Sequence, residues 1–169
     1  MKIESLQDLF QLELCYAYDC EQKLVKKGLP TMIENATSPE LRSALEQHLQ
    51  ETRTHVTRLE RVFSTIGAQA KAKDNDILDE ISSSAKDLVE DIELAPLRDA
   101  AIIVGGNKVE HYEMALYGSL AAFAQQLGFN DAATVLHQTL EEEKAADAKL
   151  TQLGEASVNP RAGQERRAA

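Results

Sequence analysis

The sequence predicts an all-α fold, an antiparallel four-helix bundle with one long crossover that contains an extra short helix. Three observations carry this. Ala, Leu and Glu are abundant, whereas Gly, Pro and Trp number 8, 4 and 0, a mix that favours helix by propensity. Apolar residues recur at three- and four-residue spacing along four long stretches, the pattern of a buried helix stripe. Two tight turns and one long connection separate those stretches, which gives two hairpins joined by a lengthwise crossover.

The first helix is expected to start near Ser5, with Phe10, Leu14, Ala17, Tyr18, Glu21 and Val25 on its inner stripe. Gly28 and Pro30 end or kink it, and apolar residues continue to Ile33. The second helix opens at Ser38 as N-cap, with Pro39 at the first helical position and Glu40 in the first turn, each placed where helix termini favour it. Its stripe reads Leu41, Leu45, Leu49, Thr52, Val56, Leu59 and Phe63, and Gly67 is a natural stop. Residues 68–75 form a polar linker. A short amphipathic helix follows from Asp76 to about Glu93, carrying Ile77, Ile81, Leu88 and Ile92, until Pro96 breaks it. The third long helix runs from about Leu97 to Leu127 and stops at Gly128. Asn130 or Asp131 caps the fourth, which reaches about Leu153. Residues 3–154 therefore read as one helical bundle. Residues 155–169, with Pro160, Gly163 and an Arg-Arg pair, read as a flexible C-terminal tail. Leu45, Leu49, Leu59 and Val62 match Leu136, Leu140, Leu150 and Leu153 in spacing. This is either a weak internal duplication or the ordinary leucine spacing of amphipathic helices.

Composition bounds the function. A chain of 169 residues can bury a substantial core as one domain. A net charge of −10 argues against nucleic-acid binding, which needs a basic surface. No stretch approaches the ~18 apolar residues of a membrane span, and no apolar run of signal-peptide type opens the chain. A cytoplasmic location is expected. Cys15 and Cys20 point to well-separated directions on one helix, so a mutual disulfide is not expected.

Against that background several acids stand where apolar residues belong. Glu21 lies within roughly 20° of Leu14 on the helical wheel. Glu113 falls in the middle of the stripe of Val109, Leu120 and Ala124, with Glu110 beside it. Glu143 and Asp147 flank Leu140 at roughly −60° and −20°, while Glu142 points outward as a surface charge. His55 sits at the edge of its stripe, and Glu51 lies further out. These residues also share a height. Glu21 precedes the turn at Ser38 by 17 residues, and Glu51 and His55 follow it by 13 and 17. Glu110 and Glu113 precede Gly128 by 18 and 15, and Glu143 and Asp147 follow it by 15 and 19. Equal offsets from a hairpin turn mean equal height, because both helices rise ~1.5 Å per residue.

A buried carboxylate without a partner is costly, since the interior cannot solvate its charge. Several in one layer call for a shared cation. Oxygen-rich ligation with one imidazole suits iron or manganese over a thiolate-type zinc site, so a carboxylate-bridged centre of two iron or manganese ions is expected, iron favoured. His48, also on the inner face, reads as a core or supporting histidine that stays eligible as a ligand. Tyr18 and Tyr117 read as core packing, with the option of a hydrogen bond to a ligand carboxylate.

The segments Glu46-Gln-His-Leu-Gln-Glu-Thr, Lys108-Val-Glu-His-Tyr-Glu-Met-Ala-Leu-Tyr-Gly and Thr139-Leu-Glu-Glu-Glu-Lys-Ala-Ala-Asp resemble the YciF/YciE-like bacterial stress-protein family. The resemblance covers about residues 3–153. It implies membership of the ferritin-like superfamily, alongside rubrerythrin and the manganese catalases, with a homodimer and a di-metal site. Matched by segment, the site residues it implies are Glu21, Glu51, Glu110, Glu113, Glu143 and Asp147. The chain departs from the usual ferritin-like pattern, which sets Glu and His three apart on two helices. Here Glu51 and His55 are four apart, and Asp147 stands where a His is common.

Two functions follow as expectations. The first is a cytoplasmic ferritin-like protein whose di-metal centre handles peroxide, O₂ or Fe(II) in stress, with Glu21, Glu51, His55, Glu113 and Glu143 as ligands and Glu110 and Asp147 bridging or switching. The partners expected are a second copy of the chain and a small oxidant or metal-ion substrate, with no nucleic acid and no membrane. The alternative is a non-enzymatic helical dimer or interaction module with a vestigial metal site.

Overall fold

Ser5 caps the first helix by accepting a hydrogen bond from the Asp8 backbone N–H. This helix, α1, spans Leu6–Lys23 and buries Phe10, Leu14, Ala17, Tyr18 and Glu21. The structure is a computed structural model and describes residues 2–165. Gly28 and Pro30 do not end the helix. A π turn at Leu24–Gly28 carries the chain into α2, Leu29–Asn35. Proline has no N–H, and its ring clashes with the carbonyl four residues back. The wider turn relieves both: the Leu29 N–H donates to the Leu24 carbonyl, one residue further back than in an α-helix. The extra residue also rotates the stripe, so Leu24 and Leu29 are buried while Val25 is only half-buried.

Ser38 caps α3, Pro39–Thr65, as its sequence predicts, and Gly67 ends it at φ 71°. Linker residues 68–75 are more than polar filler. Ala68, Ala70 and Ala72 face the core in alternation with exposed Gln69, Lys71 and Lys73, the two-residue period of an extended chain. The linker climbs along α1, with the Lys73 N–H on the Cys15 carbonyl at 3.2 Å and the Asn75 N–H on Asp19 Oδ2 at 2.9 Å. Asn75 then caps α4, Asp76–Glu90.

Helix α5, Ala95–Gln126, ends before Gly128 at φ 80°. Helix α6, Asn130–Leu153, follows. Neither Asn130 nor Asp131 caps it; Phe129 occupies the cap position without a side-chain bond. The Asn130 amide oxygen instead accepts from Gln125 Nε2 at 3.1 Å, across the turn. Beyond Leu153 the chain is helical where a loose tail was expected. A second π turn, Gly154–Val158, leads into α7, Asn159–Glu165, and Pro160 follows that turn as Pro30 follows the first. Val158 anchors the segment in the core. Residues 166–169 lie outside the described part.

Helices α1, α3, α5 and α6 form the bundle, and α4 packs outside on α5. α1 and α6 each touch both α3 and α5, so every neighbouring pair is antiparallel. This is the ferritin-like arrangement with a crossover helix. The start of α5 is tied to the first hairpin by Asp99, a buried carboxylate. Its oxygens accept from the Thr37 N–H, the Thr37 hydroxyl and the Ser38 N–H at 2.7, 2.7 and 2.9 Å. The core is in two apolar clusters. One gathers Phe10, Leu14, Leu59, Phe63, Leu120 and Leu136; the other gathers Leu24, Leu41, Leu45, Ile102, Val109 and Leu150.

Candidate metal centre

The two apolar clusters are separated by one polar layer. α1 supplies Glu21, α3 supplies His48 and His55, α5 supplies Glu110 and Glu113, and α6 supplies Glu143, all six buried. Of the seven residues predicted to share a height, Glu21, His55, Glu110 and Glu143 meet through their donor atoms, with Glu113 beside them. Within the layer the donors form two groups that share one residue. Glu21, His55 and Glu143 make one, and His48, Glu110 and Glu143 make the other; in each, one donor atom per residue lies within 4.8 Å of the rest.

His55 points Nδ1 into the layer, 2.9 Å from Glu143 Oε1 and 3.5 Å from Glu21 Oε1. Its other nitrogen, Nε2, donates to Glu142 Oε2 at 2.8 Å. Glu142 is held in turn by Arg58 through two bonds of 2.6 and 2.9 Å. This corrects the sequence reading of Glu142 as a solvated charge. It stands on the flank of α6, but its long side chain folds back, only 30 % exposed, to orient an imidazole. The Arg58 and His55 bonds override the upward push of burial and hold its carboxyl down at about 2. His48 points Nε2 inward, 3.2 Å from Glu110 Oε1 and 3.8 Å from Glu143 Oε2, with Glu51 Oε2 3.6 Å behind its Nδ1. Two further contacts support the carboxylates: the Tyr117 hydroxyl donates to Glu21, and the Cys20 thiol donates to Glu113 at 3.5 Å.

Glu51 and Asp147 are not brought into the cluster. Glu51 sits at the rim, 36 % exposed, and accepts from Gln47 Nε2 at 2.9 Å. Asp147 is partly buried, its Oδ1 enclosed without a hydrogen bond and 3.3 Å from Nε2 of the exposed His111. Its side chain is one methylene shorter than glutamate's. From a position ~40° round the helix from Glu143, one turn on, it does not reach the layer. His48 takes the place that Glu51 was expected to fill. A signal for this was present: His48 and His55 are seven apart, one heptad, which puts them on one face.

The electrostatics of the layer are unbalanced. Burial, with Glu143, Glu21 and Glu110 around it, raises the Glu113 carboxyl well above the ordinary carboxylate range. Burial likewise pushes the Cys20 thiol up, helped by Glu113, so this sulfur is a neutral donor and no thiolate ligand. Burial alone would discharge His55, yet the nearby carboxylates of Glu143 and Glu21 push it up to about 10. His48 is raised for the same reason, with Glu110 and Glu51 outweighing burial. Even so, Glu21 Oε2, His48 Nδ1, His55 Nδ1, Glu110 Oε2, Glu113 Oε2 and both Glu143 oxygens have no hydrogen-bond partner among the described residues. His55 Nδ1 and Glu143 Oε1 are close enough to bond but are not aligned to do so. Converging donors of this kind, oxygen and imidazole, fit cations of the iron and manganese class. The four carboxylates exceed the two imidazoles, and two divalent ions would balance four negative charges.

Fold and site together define a ferritin-like helical bundle with a buried carboxylate–imidazole layer that could hold metal ions. The family described as "Domain of unknown function (DUF892)" matches residues 5–163. Protein YciF of Escherichia coli is 36 % identical over 163 residues, covering 96 % of this chain and 98 % of that one. The chain belongs to this YciF-like family. Among solved structures, the E. coli stress protein YciF superposes with a TM-score of 0.88 at 35 % identity, covering 93 % of this chain and 99 % of that one. YcfI of Rhodopseudomonas palustris gives 0.86 at 37 %, covering 89 % and 95 %. A protein of Xanthomonas campestris gives 0.73 at 19 % over 96 % and 99 %, a likeness of fold alone. No helix among the described residues is long and apolar enough to cross a membrane.

Proposed function

We infer that this chain is a ferritin-like protein that binds two iron or manganese ions, iron favoured, and handles peroxide, O₂ or Fe(II) in a stress response. The observation that carries this reading is the set of buried oxygen and imidazole atoms in one layer without partners. The Glu21, His55, Glu143 group and the His48, Glu110, Glu143 group would each hold one ion, with Glu143 shared and Glu113 alongside. Bound there, such ions would supply one-electron redox chemistry. The chain's own part is to orient the ligands and exclude water. Arg58 and Glu142 fix the His55 ring, so that Nδ1 is the nitrogen turned inward. Tyr117 fixes Glu21, and the apolar clusters above and below keep the layer dry. A stress role accords with membership of the family that includes the E. coli stress protein. A homodimer is the proposed assembly.

The alternative is an interaction module whose acids are neutralised internally. The close His55–Glu143 and His48–Glu110 contacts favour it. They leave Glu113 with a thiol and Glu21 with the Tyr117 hydroxyl and a share of His55 at 3.5 Å, which is weak compensation for buried charge. Elemental analysis of protein purified without chelator decides between the two. The proposal expects about two ions per chain after reconstitution, with Fe(II) oxidation or peroxide consumption. Substoichiometric metal that does not rise on reconstitution supports the module instead.

A further inference from the structure

The two halves of the layer differ in how they meet the solvent. On the His48 side, α3 and α6 part around a cleft of about 340 Å³, walled by Ala44, Ala145, Ala146, Gln47, Glu51 and His48, with Glu110 at its inner end. The alanines leave this space, since their side chains stop at Cβ. Lys149 also borders the cleft and is exposed to solvent. Two unpartnered buried atoms, His48 Nδ1 and Glu110 Oε2, belong to residues of this wall. Glu51 stands with its carboxylate between Gln47, at 2.9 Å, and His48, at 3.6 Å. On the His55 side the same pair of helices is closed. Arg58 clasps Glu142 with both guanidinium nitrogens and also reaches Thr139 Oγ1 at 3.3 Å, while Glu142 takes the His55 Nε2–H.

We propose that the α3–α6 cleft is the entry route for divalent cations, that Glu51 is the carboxylate that receives them at its mouth, and that the His48–Glu110 position exchanges while the Glu21–His55 position is locked behind Arg58–Glu142. This rests on the di-metal reading above. It gives Glu51 a transfer role in place of the ligand role its sequence position suggested. A half-exposed carboxylate suits that role, because it can shed and regain water at little cost. A hard cation approaching through the cleft trades water for carboxylate oxygen one step at a time. At the other position Glu142, the partly exposed carboxylate beside His55, is already held by an arginine and an imidazole.

The test is Co(II) exchange on the full chain. Metal-free protein is loaded with Co(II), and release to excess chelator is followed by the visible absorption of the bound ion. The inference expects two phases of equal amplitude. Glu51→Gln should slow uptake and release of the fast phase by about tenfold, the scale set by loss of a supporting carboxylate, and leave the slow phase and the stoichiometry alone. Arg58→Ala should speed the slow phase alone. A single release phase, or two phases that Glu51→Gln does not touch, overturns the inference and leaves the di-metal reading standing. Absence of Co(II) binding in the wild-type chain overturns both.

Discussion

Glu143 touches both halves of the layer and Glu113 touches neither closely, so the two differ in what their removal does. Glu113 must take up a proton to stay buried when no cation is present. Keeping it there costs stability at neutral pH, because its ordinary value of 4.5 would leave it ionised in water. Glu113→Gln should therefore raise the stability of metal-free protein and reduce the further rise on adding metal, since ligands stabilise the native state by mass action. Thermal unfolding with and without Fe(II) reads both signs. A destabilised metal-free variant would contradict the account. pH gives a second handle. His55 is raised from 6.5 to about 10 and Glu113 is raised as well, so in metal-free protein both bind protons more tightly folded than unfolded. The contribution of His55 is complete below pH 6.5 and disappears as pH rises toward about 10, and that of Glu113 already declines above 4.5. Metal-free stability should fall over this window, whereas the increment due to metal should grow, because cations compete with protons for the same atoms. Melting temperatures across the window, with and without metal, should diverge; parallel curves would contradict the assignment of these groups as ligands.

At the scale of elements, the legible features were those with local chemistry. Ser38 with Pro39, and the glycines at 67 and 128, mark their helix ends because cap geometry depends on a few adjacent residues. The π turns were not legible. Pro30 and Pro160 read as breakers, whereas a π turn carries the helix past each of them and buries Leu29 and Val158. The stripe predicted for α3 is buried at Leu41, Leu45, Leu49, Thr52, Leu59 and Phe63, with Val56 half-buried, but it is wider than predicted. Leu41, Leu45, His48, Thr52, His55, Leu59 and Val62 repeat at four and three, a heptad seam. An apolar template finds Leu49 beside this seam but passes over the two histidines in it, because it looks for leucine there. α6 behaves alike: Leu136, Glu143 and Leu150 fall one heptad apart, which puts Glu143 at the centre and Asp147 aside. Asp99 joins the first hairpin to α5 by bonds no sequence pattern announces. Asp99→Ala leaves the Thr37 and Ser38 N–H donors unpaired and should cost about 3 kcal/mol or more in chemical unfolding, with Asp99→Asn milder. A loss below about 0.5 kcal/mol, the level of an ordinary surface change, would show that the turn finds other partners.

For the whole molecule, the constant rise of an α-helix did most of the work. Counting residues from two turns put donors of four helices at one height, and that layer is where the structure has it. Direction around each helix was less secure, since a fixed 100° per residue accumulates error along a supercoiled bundle, about 20° per heptad. Hence the layer was legible, while the exchange of Glu51 for His48 and the recruitment of Glu142 were not. The resulting architecture is a dry bundle cut by one charged plane, open on one side at a cleft and closed on the other by an arginine clasp. The central claim is that cations occupy this plane. Crystals of the native protein, purified without chelator and scanned for anomalous scattering across the iron and manganese edges, test it most directly. The account predicts two peaks, one among Glu21, His55 and Glu143 and one among His48, Glu110 and Glu143. A featureless layer in crystals of protein reconstituted with either metal would contradict it.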